Sequence, residues 1–440
     1  MAPEPYTGLP RPPRSRPLLS SLDIILSDGY QFRILVIGKP GSGKSDLINA
    51  VFGVDAKALT RTSFRRTHVA FEFSPDEQNP RLLFHEFDIC DEERIQLLEF
   101  VGSQTGSGVP LIDRVHTVWV CVGAEDDGSA IKEVLSIVNG NVPVMIVFTK
   151  FDETTIPMLR QLPVGRPGED YSFDAQLGRA KERAQRYFDQ VYRLKFSDTG
   201  IPAVCASMES HFRETICELT EETDRQIRKW LGSYSRVSGL VLAWSMAQRA
   251  SRPINIQTCI DVGCFGLWRD LSCRDLVGRR TEQCVEAIHS DIVRIWNFND
   301  PTKYLRSAQF KREMTHVVND LVDPIISDDP PFLDIIGMEQ SAPWINGVYR
   351  GNVLNVRCMM SYIVNLINIL NDLFLRVVSV TEDDVQFAIE EFVGGDRRQK
   401  IHKAIHDFPL KDPRSEGEAV AEKIKQLVLE TCDPPPLPDA

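Results

Sequence analysis

The 440-residue chain predicts an α/β unit, with a mostly parallel sheet and one antiparallel edge strand, followed by an all-α helical domain. Three observations predict it. "FRILVIGKPGSGKSDLINAVFG", residues 32–53, sets a strand, a glycine-rich loop and a helix in succession. "VPVMIVFTKFD", residues 142–152, supplies a second buried strand, its apolar residues nearly unbroken as a strand covered on both faces requires. Beyond residue 210 the apolar residues recur at helical spacing.

Composition limits what such a chain does. A length of 440 residues exceeds one ordinary core and predicts several domains. The net charge of -12 argues against a general nucleic-acid or anionic-membrane surface, since both reward a basic face. The ten cysteines form no Cys-x-x-Cys pair, and the eight histidines show no spacing that would recruit a metal with them. Scattered, reduced thiols predict a cytoplasmic protein.

Residues 1–29 read as a disordered Pro/Arg-rich tail without the apolar core of a signal peptide, and residues 432–440 as a second proline-rich tail. Pro-x-x-P spacing from Pro10 to Pro13 suits either a proline-reading partner or a solvated linker. Between the tails the expected domains are 30–210, α/β, and 211–431, helical.

The first loop reads G-x-x-x-x-G-K-S: Gly38, Lys39, Pro40, Gly41, Ser42, Gly43, Lys44, Ser45, with Asp46 next. Small residues let consecutive backbone N–H groups curl around phosphates, and the helix N-terminus adds its positive dipole end. Lys44 is placed to reach the outer phosphates and Ser45 to offer a hydroxyl to Mg²⁺. Gly53 is the expected C-terminal cap of the following helix.

"HVAFEF" (68–73) and "RLLFHEF" (81–87) read as an antiparallel hairpin. The strand over 142–148 then delivers Thr149, Lys150, Phe151 and Asp152 to its carboxyl end, where open α/β sheets bind ligands. Loop and Thr-Lys-x-Asp element, 108 positions apart from Lys44 to Asp152, resemble the translation-factor-like P-loop GTPases. Asn is the commoner first residue of that element; Thr149 matches the dynamin-like and immunity-related branches.

The resemblance implies a P-loop NTPase fold of the Ras-like G-domain type over 30–210, with GTP or GDP and Mg²⁺ as ligands. In that family the aspartate accepts hydrogen bonds from guanine N1–H and the 2-amino group. Adenine offers neither donor, so Asp152 would be left with an unpaired buried carboxylate. The family's Ser-Ala element, whose amide meets guanine O6, aligns with Cys205-Ala206 after the strand "IPAVCASM".

Where switch machinery is expected, the chain departs from the family. Instead of Asp-x-x-Gly it carries "EFDICDEE", and no glycine occurs between Gly53 and Gly102. Asp88 is the preferred Mg²⁺-site carboxylate and Glu86 the runner-up, with Asp91 standing where the glycine would be. A carboxylate there repels a γ-phosphate unless the segment swings away. No glutamine follows to orient water. Upstream, Thr60, Thr62 and Thr67 are candidates for the metal-sensing hydroxyl, Thr67 preferred; Arg61, Arg65 and Arg66 read as a solvated basic loop or as internal arginine fingers. The catalytic residues are left unassigned by the sequence, with Lys44 the expected stabiliser of phosphate charge.

Beyond 210, Cys284, Ile288, Ile292 and Ile295 share one helical face, as do Phe310, Met314, Val317 and Leu321. Thr381 and Asp384 form a capping pair. His289 and Asp291 have no third partner at helical spacing and read as packing residues. The apolar stretch 358–378 nearly reaches membrane-spanning length, but Ser361, Asn365, Asn368 and Asp372 form one polar stripe, which suits a buried bundle helix and disfavours a membrane segment. "WSMAQR" and "IHSDIVRIWNFNDP" resemble uncharacterised fungal GTPase-like proteins with a helical C-terminal region, a likeness that supplies no function.

Three functions follow from these residues. The leading one is a guanine-nucleotide-binding protein, a slow or degenerate GTPase. The alternatives are a catalytically inactive GTP/GDP-binding interaction module and an adenine-using ATPase or kinase, the last disfavoured by Asp152. A protein partner or a homodimer through either domain is open; nucleic acid is not an expected partner.

Overall fold

The computed structural model describes the chain over residues 20–54, 79–123, 142–162, 172–232, 239–272, 280–321, 352–411 and 416–432, apart from a few positions inside these runs. It divides into two compact units: residues 26–255, and residues 1–25 together with 256–440.

The first unit is built on five parallel strands: β1 (Phe32–Gly38), β2 (Leu82–Asp88), β3 (Thr117–Val122), β4 (Val144–Phe148) and β5 (Ala203–Cys205), in the order β2-β1-β3-β4-β5. Phe32, Ile34, Leu35, Val36 and Ile37 of β1 are all buried, which is why its apolar run is unbroken rather than alternating. The chain runs from β1 to one neighbour, β2, and crosses back to the other, β3. The carboxyl ends of β1 and β3 therefore frame the crevice at which such sheets bind ligands. The antiparallel strand expected over 68–73 lies outside the described residues.

Around the sheet lie α2 (Lys44–Phe52), α3 (Arg94–Gln104), α4 (Phe151–Arg160), α5 (Phe173–Phe188), α6 (Arg213–Leu231) and α7 (Gly239–Ala247); α1 (Ser21–Ile25) belongs to the other unit. Gly53 closes α2 at φ 65°, its N–H donating to Asn49 O, as its position in the sequence predicts.

The boundary expected at 210 is corrected, because α6 and α7 pack back on the strands. Trp119 Nε1 donates to Thr223 Oγ1 on α6 at 3.2 Å. Trp244 on α7 meets Phe32 at a ring separation of 4.7 Å. The sequence "GLVLAWSMA" is apolar on every side and reaches full burial only by lying on the sheet.

The second unit is helical: α8 (Arg252–Ser272, the partition falling in its first turn), α9 (Thr281–Trp296), α10 (Ala308–Val317), α11 (Val353–Arg376), α12 (Glu382–Gly394), α13 (Asp396–His406) and α14 (Gly417–Cys432). The tail assigned to 1–29 ends earlier than expected, since α1 packs on α9: Ser21 N–H donates to Asp291 Oδ2 at 2.8 Å and Leu22 is fully buried. The apolar face of "LLSSLDIIL" supplies the reason. Both expected apolar faces, Cys284 to Ile295 and Phe310 to Leu321, are buried, and Thr381 with Asp384 forms a reciprocal capping box.

Helix α11 is long and apolar enough to cross a membrane by length and composition, and most of it is buried inside its unit. Its polar stripe is hydrogen-bonded: Asn365 Nδ2 donates to His402 Nε2 at 3.0 Å, Asn368 Nδ2 to Thr431 Oγ1 at 2.9 Å, and Arg397 Nη1 to Asp372 Oδ1 at 3.0 Å. His289 is buried between Tyr362 Oη and Leu305 O, a packing histidine.

Candidate functional site

Gly38 ends β1 in register with Asp88 on one side and Cys121 on the other. A Cβ on Gly38 would stand 2.7 Å from Cys121 O and 2.5 Å from Ser42 Oγ, so only glycine lets the loop fold this tightly over β3. The loop then turns through Gly41 and Gly43, at φ 79° and 81°, into the first turn of α2.

Lys44 folds back under this loop. Its ammonium is almost wholly buried and donates to Gly38 O at 3.2 Å, Lys39 O at 3.0 Å and Asp88 Oδ1 at 2.5 Å. A desolvated ammonium needs three acceptors, and these supply them. One residue on, Ser45 Oγ lies 3.1 and 3.2 Å from the two carboxylate oxygens of Glu86. The two carboxylates point to the same side of β2, two residues apart, and divide the loop's last two residues between them: Asp88 takes the lysine and Glu86 the serine. Sequence reasoning preferred Asp88 beside Ser45; the structure brings the runner-up there.

Burial is the main cause raising the Glu86 pKa above the ordinary carboxylate value, opposed by the Lys44 charge and the Ser45 hydrogen bond. Ser42 Oγ is buried in the loop without a hydrogen-bond partner among the described residues. Such an orphan in a cradle of backbone amides is the condition expected where an anion supplies the missing partner.

The Thr149–Asp152 element approaches the same loop. Thr149 is buried, with its N–H and its hydroxyl both donating to Val122 O, at 3.1 and 3.2 Å, which ties the end of β4 to β3. Lys150 takes φ 60°, a left-handed conformation that costs a non-glycine residue about 1 kcal/mol. The bend is held by Phe151 N–H donating to Ala206 O at 3.1 Å. A Cβ on Gly43 would lie 3.8 Å from Thr149 Cβ and 4.0 Å from Lys150 Cγ, so the two motifs, remote in sequence, touch across the crevice.

Asp152 is oriented by a residue the motif does not contain. Ser207 Oγ donates to Asp152 Oδ1 at 2.6 Å, and Ser207 is itself anchored through its N–H to Thr215 Oγ1 at 3.0 Å. The alignment on Cys205-Ala206 is corrected by this geometry. Cys205 is the last residue of β5, and the Ala206 N–H is committed to Phe148 O at 2.7 Å, so it has no free donor to offer. Ser207-Met208, two residues on, stands against the loop instead: Met208 Cε lies 3.4 Å from the position of a Cβ on Gly43. A serine following two small residues after a buried strand was the one available signal.

Thr60, Thr62, Thr67, Arg61, Arg65, Arg66 and Asp91 lie outside the described residues. Among the described residues no group of three or more His, Cys, Asp or Glu side chains is assembled as a metal site. Hard oxygen donors are nonetheless present at Ser45, Glu86 and Asp88, the donor set Mg²⁺ accepts when phosphate and water complete its shell. All eight described cysteines are free thiols.

Comparison with known proteins adds the following. A family described as a domain of unknown function, DUF8505, matches residues 282–433, within the helical unit. No curated protein matches the chain. Among solved structures, a bacterial selenocysteine-specific elongation factor, EF-Sec, aligns at 16% identity and a TM-score of 0.26, over 47% of this chain and 30% of its own. An S. thermophilus NFeoB mutant bound to GDP aligns at 10% identity and a TM-score of 0.27, over 90% of this chain and 99% of its own. The chain thus spans less than a third of the elongation factor.

Proposed function

We propose that the 26–255 unit binds GTP or GDP with Mg²⁺ in the crevice at the carboxyl ends of β1, β3 and β4, and that the chain is a slow or degenerate GTPase. The observation that carries this reading is the Asp152 carboxylate, held by Ser207 at 2.6 Å, in a turn that touches the phosphate loop at Gly43. Guanine presents two adjacent donors to such a carboxylate and adenine presents none. Met208, whose N–H has no partner among the described residues, is the better candidate than Ala206 to meet guanine O6.

In this reading Lys44 exchanges Asp88 for phosphate oxygens, and Ser42 finds its missing partner there. Mg²⁺, when bound, would neutralise phosphate charge. Ser45 and Glu86 are the residues placed to hold it, with Thr67 proposed from the sequence alone and Asp88 standing behind Lys44. Slow turnover rests on Asp91 in place of the switch glycine and on the missing glutamine.

Titration calorimetry of GDP, GTP and ATP with Mg²⁺ tests the binding. ATP binding as tightly as GTP, with Asp152→Ala leaving that preference unchanged, would overturn the base assignment. Single-turnover hydrolysis of GTP tests the chemistry: phosphate release no faster than in Lys44→Ala favours the inactive binding module.

A further inference from the structure

Between the end of β5 and the start of α6 at Arg213 the chain makes a short loop that carries Ser207 and Met208. Hydrogen bonds close this loop into a ring. Glu209 N–H donates to Ser207 Oγ at 3.3 Å, Phe212 N–H to Glu209 O at 2.9 Å, Thr215 Oγ1–H to Phe212 O at 2.8 Å, and Ser207 N–H back to Thr215 Oγ1 at 3.0 Å. Ser207 Oγ, which accepts from Glu209, gives its own proton to Asp152 Oδ1. Thr215 stands in the first turn of α6 and is buried, with its one proton and one lone pair both engaged in the ring.

The ring is pinned from outside by α5. Lys181 Nζ donates to His211 O and to Glu214 Oε1, and it lies 4.6 Å from the centre of the Phe212 ring. Phe212 in turn meets Phe151, the neighbour of Asp152, edge-on at a ring separation of 6.2 Å. Asp152 and Ser207 are therefore tied to one loop from both sides, since Phe151 N–H also donates to Ala206 O. Every partner in the ring is a protein group, which preorganises the loop and lowers the ordering cost of binding a ligand there.

We propose that Thr215 is a positioning residue for base choice, a role that rests on the guanine reading given above: acting through Ser207, its hydroxyl holds the Asp152 carboxylate and the Met208 amide against one purine edge. Helix α6, which the sequence assigns to the helical domain, thereby takes part in the nucleotide site. Thr215 makes no hydrogen bond to the phosphate loop among the described residues, its partners being Ser207 and Phe212. Its loss should change which base is preferred and leave the grip on the diphosphate as it was.

The test uses the full chain, with GDP, 6-thio-GDP and ADP competing against a fluorescent guanine nucleotide in the presence of Mg²⁺. Thr215→Val keeps the shape of the side chain and strips the buried Ser207 N–H and Phe212 O of their partner. The preference for GDP over ADP should fall about threefold to tenfold with ADP affinity unchanged, and the preference for GDP over 6-thio-GDP, whose sulfur is the weaker acceptor, should fall with it. Thr215→Ser keeps the hydroxyl and should restore both ratios. Lys181→Met unpins the ring without touching its hub and serves if Thr215→Val does not fold; with the lysine side chain 24% exposed, it should cost about twofold to threefold in the GDP:ADP ratio. Equal losses of GDP and ADP, ratios unchanged in both variants, or no recovery in Thr215→Ser would each overturn the role of Thr215. A wild-type protein that binds GDP no more tightly than ADP would overturn the guanine reading itself, and this role with it.

Discussion

Lys44 Nζ lies 2.5 Å from Asp88 Oδ1, at the place where the outer phosphates of a nucleotide would compete for the same ammonium. The loop of β1 and the end of β2 are thereby tied by one ion pair, its lysine buried and its aspartate 41% exposed. A ligand that needs the lysine must displace the aspartate.

Asp88→Asn should therefore strengthen GDP binding. The pair is charge-assisted but partly open to solvent, which discounts it to about threefold to tenfold in affinity. Calorimetry on the nucleotide-free protein reads the change. Weaker binding, confined to Mg²⁺-containing buffer, would instead assign Asp88 to the metal.

Glu86→Gln separates the other carboxylate. With Ser45 Oγ at 3.1 Å from Glu86, the variant should lose about tenfold in nucleotide affinity with Mg²⁺ present and little in its absence. Titrations with Mg²⁺ and with chelator, run side by side, check it. An equal loss in both buffers marks a purely structural role.

Base choice should depend on both members of the Ser207–Asp152 pair, in different degrees. Asp152→Ala is expected to lower the preference for GTP over ATP by on the order of 100-fold. Ser207→Ala leaves the carboxylate in place without its support and should cost about threefold to tenfold, the worth of one hydrogen bond. Competition against a fluorescent guanine nucleotide measures both.

His116 sets an acid sensitivity in the 26–255 unit. Its Nδ1 accepts from Arg33 N–H at 2.8 Å and its Nε2–H donates to Leu111 O at 2.8 Å, so the neutral tautomer is the one built in. Burial lowers its pKa to about 3, from the ordinary 6.5. The unfolded chain then binds the proton first: the contribution is complete above the ordinary value and is lost as pH falls through the window between them. By a pH of about 5.5 the loss should reach about 1 kcal/mol. Denaturant unfolding at neutral pH and at that pH, compared with His116→Gln, isolates the effect; an unchanged slope in the variant would rule it out.

The sequence alone determined the glycine-rich loop, the strand that feeds it and the Thr149–Asp152 turn, because each is a local pattern in which a run of apolar residues, a glycine or a cap dictates backbone shape within a few positions. The buried faces of α9 and α10 and the capping box of α12 were legible for the same reason. Tertiary structure decided the rest. Which carboxylate of β2 meets Ser45 depends on a register between strands whose partners stand about 50 positions apart, where a shift of two residues keeps the same face and leaves no trace in composition. That Ser207 rather than Cys205 serves Asp152 depends on where β5 stops pairing with β4. The placement of α6 and α7 on the sheet follows from burial between elements distant in the chain, which no local pattern records.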